Sequence, residues 1–500
     1  MLLLVATLWS VLLLAWLILH WGILPYIDDW RPAIEKHASA ALGLPVSIGQ
    51  IEVRSSGWVP ALELREVVLS DRDGRQALRL PRVSAAVSPQ SLLALRLRFA
   101  QLYIEGAQLL IRRDAAGRLH IGGLDMNTSA ALDDSAAADW FFQQSEFVIR
   151  GGQLRWVDEM RRAPPLELRD AELVVRNSLR HHDLRLDATP PPGWGQRFSL
   201  RGRFTQPLLA RAGDWQRWSG PAYAELPGAD VAALRQHVAL PFELNQGQGA
   251  LRLWLELQAG QWRDTTLDAA LTDVNLRLAP ALQPLAFATL QGRFSAQRDA
   301  SGIKLQAERF AFTTVQGQAW PASRISLAWQ QRQSLAQSGL SAEPVTGGEL
   351  GADRLDLALM AGIAERLPLP APLRQALDEL APEGRVQDLK ASWAGPLEQP
   401  RRYRVQAQLA GLTIASAPAA SGHGVGRPGW RNADLVLDAN ETGGEARLQV
   451  KDGALDLPGV FEQPLVALDQ FNSKLVWAIR PAPAGSGAPP QIELLVRDVQ

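Results

Sequence analysis

A period-two alternation of apolar and polar residues recurs along nearly the whole chain, most plainly at Leu251-Arg252-Leu253-Trp254-Leu255-Glu256-Leu257-Gln258. Successive side chains of a strand point to opposite faces, so such a segment makes one apolar face and one mostly polar face. The same rhythm appears at Leu62/Leu64, Leu95/Leu97, Leu109/Ile111, Leu166/Leu168, Leu173/Val175 and Leu184/Leu186. It continues at Ile303/Leu305, Ile325/Leu327, Leu355/Leu357/Leu359, Leu435/Leu437, Leu448/Val450 and Ile492/Leu494. Gly, Pro, Asp and Asn stand between the runs, where turns need them. The chain is therefore expected to be mainly β.

Helices are expected at few places. Residues 29–42 carry an apolar stripe of Trp30, Ile34, Ala38 and Leu42, and Gly43 is placed to stop the helix. Short helices are also expected at 139–144, at 230–240 behind the N-cap Asp230, and at 372–380. Pro- and Gly-rich loops fall at 189–195, 417–429 and 481–490, and no strict repeat emerges.

Met1 to Leu24 is apolar and uncharged, long enough for a bilayer span of about 20 residues. It lacks the basic start and small-residue cleavage site of a secretory signal, which favours a retained transmembrane anchor. Trp21, Tyr26 and Trp30 stand where an interfacial aromatic belt would lie. The expected organisation is an anchor at 1–24, a short amphipathic helix within 25–43 and a β domain at 44–500. Subdivision of that domain is expected near 190–230 and 417–430.

A sheet with one apolar face must bury it. From the pattern alone, two sheets could form ordinary sandwiches, one could close as a barrel, or one could curl into a trough holding acyl chains. Packed sandwiches are the default from the pattern alone, and the trough gains from persistence of the pattern over 500 residues with a membrane segment in front.

Composition excludes several chemistries. Nothing in a net charge of −1 draws the chain to nucleic acid. There is no cysteine, hence no disulfide, thiolate metal site or thiol nucleophile. No histidine pair has zinc-protease spacing, and adjacent His181 and His182 are expected at a surface strand start, facing opposite sides. Asp71-Arg-Asp-Gly74 begins like a calcium loop, but Arg82 stands where the closing glutamate belongs, so a turn is expected. Gly424 to Gly429 matches GxGxxG by letter, but a strand follows it instead of the helix that phosphate binding needs. No catalytic residue, metal ligand or cofactor site is nominated.

The chain resembles the AsmA-like proteins, most closely the YhdP subfamily. The apolar start is followed by Asp28-Asp29-Trp30-Arg31-Pro32, then Gly43-Leu-Pro45-Val46-Ser-Ile48-Gly49-Gln-Ile51-Glu52, Pro60-Ala-Leu62-Glu-Leu64 and Asp71-Arg-Asp-Gly74. Trp156-Val-Asp158-Glu159, Ala163-Pro-Pro165-Leu166-Glu-Leu168-Arg169-Asp170, Leu226-Pro-Gly-Ala-Asp230 and Leu380-Ala-Pro-Glu-Gly384 extend the likeness over the chain.

The resemblance implies a single-pass inner-membrane protein with its bulk in the periplasm, and a long curled antiparallel sheet whose hydrophobic groove carries phospholipid towards the outer membrane. Family members are longer, and the mid-strand rhythm at Val496 to Gln500 suits the N-terminal portion of such a protein. Expected groove positions are Leu62, Leu64, Leu97, Leu109, Ile111, Leu168, Leu173, Val175, Leu253 and Leu255. Expected partners are phospholipid acyl chains and the inner membrane. The alternative is a periplasmic scaffold or assembly factor for outer-membrane proteins, working by strand addition.

Overall fold

The computed structural model describes residues 28–55, 60–71, 74–87, 99–125, 136–238, 240, 242–299, 302–332, 345–397, 400–419, 425–480 and 491–500. The expected anchor at 1–24, with Trp21 and Tyr26, and the groove position Leu97 lie outside them. Among the described residues no helix is long and apolar enough to cross a membrane.

The chain is mainly β, with few and short helices. It divides into two compact units, one of residues 1–239 and 250–262, the other of 240–249 and 263–500. Unit 1 begins with α1 (Arg31–Leu42), β1 (Val46–Ser55), β2 (Pro60–Ser70), β3 (Gln76–Val87), β4 (Phe99–Glu105), β5 (Gln108–Arg113), β6 (Leu119–Ile121) and β7 (Leu124–Asp125). It continues with α2 (Ala136–Gln143), β8 (Glu146–Asp158), β9 (Leu166–Ser178), β10 (His181–Thr189), β11 (Phe198–Thr205), β12 (Gly220–Asp230) and α3 (Val231–Arg235). Strand β13 (Glu243–Gln258) contributes its second half to unit 1 and its first half to unit 2.

Unit 2 then holds nearly all of β14 (Gln261–Arg277), followed by β15 (Leu285–Asp299), β16 (Gly302–Thr314), β17 (Ala319–Arg332) and β18 (Val345–Asp356). After α4 (Leu357–Ile363) and α5 (Ala371–Leu380) come β19 (Glu383–Ala394), β20 (Arg402–Ile414), β21 (Gly429–Asn440), β22 (Gly443–Asp456), β23 (Leu465–Arg480) and β24 (Gln491–Arg497).

Within each unit the strands join one ladder instead of dividing between two facing sheets. In unit 2 each strand from β14 to β24 pairs antiparallel with the next. Unit 1 departs from the expected antiparallel order once, where β8 lies parallel to both β4 and β5. Parallel neighbours need a long crossover, and the stretch containing α2 supplies it.

A recurring bulge shapes the strands. The apolar alternation of many of them breaks once, with a spacing of three instead of two: Leu64 to Val67, Leu168 to Ala171, Leu271 to Val274, Ala307 to Phe310, Leu409 to Leu412 and Trp430 to Ala433. Just before the second run stands a residue with positive φ: Glu66, Asp170, Asp273, Arg309, Gly411 and Asn432 respectively, with Gly151, Asp388 and Asp452 in like positions. Ladder registers shift at several of them, as between Ala307 and Phe310 and between Leu409 and Leu412. One extra residue in the left-handed conformation bends the strand and returns the apolar set to the same face. Asp, Asn and Gly tolerate that conformation best. Neighbouring bulges are tied together, because Asn432 Nδ2 donates to Lys451 O at 2.9 Å and Asp452 O at 3.3 Å.

The helices follow expectation with two corrections. Gly43 ends α1 with φ +66, as its place in the sequence requires. Helix α3 spans only 231–235, although Asp230 caps it by accepting from Ala232 N and Ala233 N. A turn follows, with His237 N and Val238 N donating to Leu234 O at 3.0 and 3.2 Å, and Val238 stays exposed. Leu357 and Leu359, expected in a strand with Leu355, instead open α4. The Asp356 carboxylate accepts from Leu359 N at 2.9 Å and starts the helix there.

Candidate functional site

Cross-strand partners share a face of the sheet. In unit 1 the register lines up Leu62, Ala85, Leu102, Phe147, Val175, Leu184, Gly202 and Ala222 from β2 to β12. A second row runs through Ile51, Leu64, Val83, Ile104, Ile149, Leu173, Leu186, Leu200 and Ala224. No member of either row is polar. The other face carries Arg65–Glu52 at 3.2 Å, Arg82–Glu105 at 3.1 Å, Arg176–Glu146 at 2.8 Å and Arg252–Glu225 at 3.0 Å. Such exposed pairs add little stability. They identify the water-facing side.

The apolar face is not uniformly covered. Over the first strands, Ile34 of α1 and Trp140 of α2 pack against a core that includes Ile51, Val67, Val83 and Ile104. Helix α2 is stapled down: Gln144 Oε1 accepts from Phe99 N at 2.9 Å, Asn177 Nδ2 donates to Gln144 O at 2.8 Å, and Asp139 accepts from Gly213 N at 2.7 Å. Further along, Leu200 is exposed, and Leu251, Leu253, Leu255 and Leu257 are half-buried. Trp254 and Arg252 take the polar side, the former against the Tyr223 ring at 5.4 Å.

The expected groove positions are therefore spread over different surroundings. Leu168 and Val175 are buried. Leu62, Leu64 and Leu173 pack against the core beneath α1 and α2. Leu109 and Ile111 are partly buried, with Leu109 opposite Leu154 and Leu154 opposite Leu168. Leu253 and Leu255 border the open part. Trp30 is 54% exposed at the start of α1. A cleft of about 530 Å³ beside Leu109 and Leu168 is also lined by Gln108, Gln153, Arg155 and Glu167, so it is not an apolar chamber.

His182 corrects the expectation of a surface position. His181 is exposed and faces the other way, but His182 is 1% exposed beneath α2. Its ring stacks on Trp218 at 3.9 Å; Nδ1 lies 2.7 Å from Asn177 Oδ1 and Nε2 3.0 Å from Gln206 Oε1. A neutral ring donates from one nitrogen only. Asn177 Nδ2 donates to Gln144 O at 2.8 Å and Gln206 Nε2 to Ala210 O at 3.4 Å, so both amides present their oxygen to the ring.

Burial pushes the His182 pKa below the ordinary 6.5, and the Gln206 contact offsets this only in part. The unfolded chain then takes up the proton first. Stability from this site is present above pH 6.5 and lost as the pH falls towards the folded-state value. Urea midpoints measured from pH 8 to pH 5 should fall in that window, and His182→Gln should flatten the profile where His181→Gln does not. An unchanged slope in His182→Gln would refute the assignment.

Unit 2 repeats the two-faced design. One row runs through Ala296, Leu305, Leu327, Leu350, Ala391, Val405, Ala439, Gly444, Trp477 and Leu494. Glycine admits large rings here: a Cβ at Gly348 would lie 2.4 Å from Trp393, and one at Gly444 2.6 Å from Trp477. At this end of the strands Ile303, Leu305, Trp329, Leu494 and Val496 are exposed. The other end is closed. Phe312 stacks on Trp320, and Leu357 of α4 packs on Leu412, Ala433, Leu448 and Val450. On the polar face the Arg404 guanidinium holds the Asp438 carboxyl below the usual carboxylate range.

Among the described residues no three His, Asp or Glu side chains gather as a metal site. The chain is of a class that presents long, two-faced β-ladders with a partly uncovered apolar side. It belongs to the YhdP family, whose model, described as YhdP protein, matches residues 1–482. It is similar to the Intermembrane phospholipid transporter YhdP of Escherichia coli (strain K12), with 23% identity over 460 residues. That match takes in 89% of this chain and 33% of the relative, so the chain spans about a third of the relative's length. No solved structure matches the chain.

Proposed function

We propose that the apolar face takes up phospholipid acyl chains, and that the chain belongs to a phospholipid path between the inner and outer membranes. Segment 1–24 holds it in the inner membrane, and its bulk lies in the periplasm. Tails rest on the Leu, Val and Ile rows, out of water, while headgroups stay at the open side. The observation that carries this reading is apolar surface left open within each unit, at exposed Leu200 and half-buried Leu251, Leu253, Leu255 and Leu257 in unit 1 and at exposed Ile303, Leu305 and Trp329 in unit 2. Apolar surface of this extent is costly in water, at about 25 cal/mol per Å², unless an apolar partner covers it. The name of the Escherichia coli relative supplies phospholipid as that partner.

A photo-crosslinking residue placed at Leu253, and separately at Trp254, tests the assignment of faces. Phospholipid adducts are expected at Leu253 and not at Trp254. Adducts to a protein strand at Leu253 would replace lipid with the assembly-factor alternative. Equal lipid adducts at both positions would show that no face is selected.

A further inference from the structure

We propose that the strand-end rim of unit 1 carrying Leu179, Leu208 and Leu209 rests on the surface of the bilayer that holds the N-terminal segment. The proposal rests on the reading of 1–24 as a membrane anchor, and adds to it a second, folded contact with lipid.

The residues are misplaced for water. Leu179 occupies the tight turn between Ser178 and His181, which pair across β9 and β10. Leu208 and Leu209 are the central residues of the turn closed by Ala210 N donating to Pro207 O at 3.2 Å. Turn tips of this kind ordinarily hold Gly, Asn, Asp or Ser. Here they hold leucines that are 101%, 78% and 100% exposed.

The two turns form one edge. Gln206 N donates to Arg180 O at 2.9 Å, and the Arg180 guanidinium donates back to Gln206 O at 2.9 and 3.1 Å. The leucines are therefore presented together, exposed, on a braced support.

Orientation supplies the occupant. Helix α1 runs antiparallel to β1, since Val46 N donates to Ser39 Oγ, Ile48 N to Glu35 Oε1, and Arg31 Nη1 to Gly49 O. Its N-terminus therefore points towards the Ser55 end of β1, and the apolar run Met1–Leu24 leads into it. Tracing the ladder, Ser55 pairs with Pro60, Ala61 with Ala86, Val87 with Phe99; Ser145 N donates to Phe99 O and Asn177 N to Ser145 O. The Leu179 and Leu208–Leu209 turns thus lie at the end of the sheet towards which the anchor side of α1 points. Trp30, exposed at the start of α1, suits the headgroup region between them.

The chain has no cysteine, so single labelling sites are clean. Leu179→Cys, Leu209→Cys and, at the opposite end of the strands, the exposed position in Met160→Cys would each carry an NBD fluorophore on the full chain. The chain is reconstituted into phosphatidylethanolamine–phosphatidylglycerol vesicles with or without doxyl-labelled phospholipid. Interfacial insertion should quench the Leu179 and Leu209 labels about two-fold or more and leave the Met160 label unchanged. Adding Leu208→Asp and Leu209→Asp should release the quenching at Leu179 while the chain still floats with the vesicles.

Flotation without quenching at either leucine position overturns the rim contact and leaves the anchor standing. Loss of flotation overturns both. A label shielded from aqueous quencher yet untouched by doxyl lipid would mean a protein partner and would also overturn the proposal. Crosslinking at Leu253 reports on the acyl-chain face independently of all these outcomes.

Discussion

Deleting Asn432 should abolish the cooperative unfolding transition of unit 2, whereas Asn432→Gly should lower its stability by only about 1 kcal/mol. Asn432 is the extra residue of the β21 bulge, with φ +57. Without it, one half of β21 must turn over, because strand side chains alternate. If the second half turns, Ala433, now fully buried, meets water together with Leu435 and Leu437. Asp434 and Asp438 then face the core, and Asp438 loses Arg404 and Gln406. If the first half turns instead, Trp430 leaves Phe471 and Arg431 goes inside.

Burying an unpaired charge costs several kcal/mol, and a domain has only about 5–15 kcal/mol in all. Glycine keeps the left-handed backbone and loses only the side-chain bonds to Lys451 O and Asp452 O. Asn432→Val should fall between the two, because a β-branched residue in that conformation adds roughly 1–2 kcal/mol to the lost bonds. Urea unfolding followed by tryptophan fluorescence, with limited proteolysis as a second probe, would rank the three. A deletion variant with the parent midpoint would show that the bulge does not set the faces.

The second large effect concerns lipid. Leu253→Glu combined with Leu255→Glu should reduce phospholipid recovered with the detergent-solubilised chain about ten-fold or more, since two carboxylates would stand on the surface proposed for acyl chains. Trp254→Glu places one carboxylate on the opposite side, near Arg252, and should leave recovery close to the parent level. Quantitative mass spectrometry of extracted lipid measures the difference, with circular dichroism to show that the sheet persists. Equal recovery from the two variants would sink the assignment of the apolar face.

Much of this was legible in the chain itself. Alternation at Leu62/Leu64, Leu173/Val175 and Leu251–Leu257 announces two-faced strands, and Gly43 and Asp230 mark helix ends. The bulges left a signal that simple alternation overlooks: two apolar runs separated by three residues instead of two, with Asp, Asn or Gly often just before the second. Leu355, Leu357 and Leu359 misled, because alternation alone cannot see that the Asp356 carboxylate will cap a helix at Leu359. His182 misled as well. Its neighbours His181 and Asp183 are polar, and only the folding of α2 and Trp218 over it makes the site interior.

What the sequence determined by itself is local: which side chains share a strand face, and that this face is apolar from one strand to the next. Those properties depend on the two-residue period of a strand and on backbone preferences, both readable within about ten residues. What only the tertiary structure decided is which part of the apolar face is covered. Val175 is closed in, while Leu200 is exposed and Leu253 half-buried, although all stand in similar alternating runs. The difference comes from elements distant in the chain. Helix α2 is stapled across β4 and β9 by Gln144 and Asn177 and clamped by Gly213, and nothing in the strands it covers foretells it. Coverage is a property of contacts between remote segments, and it separates the apolar surface that holds the fold together from the apolar surface left for a partner.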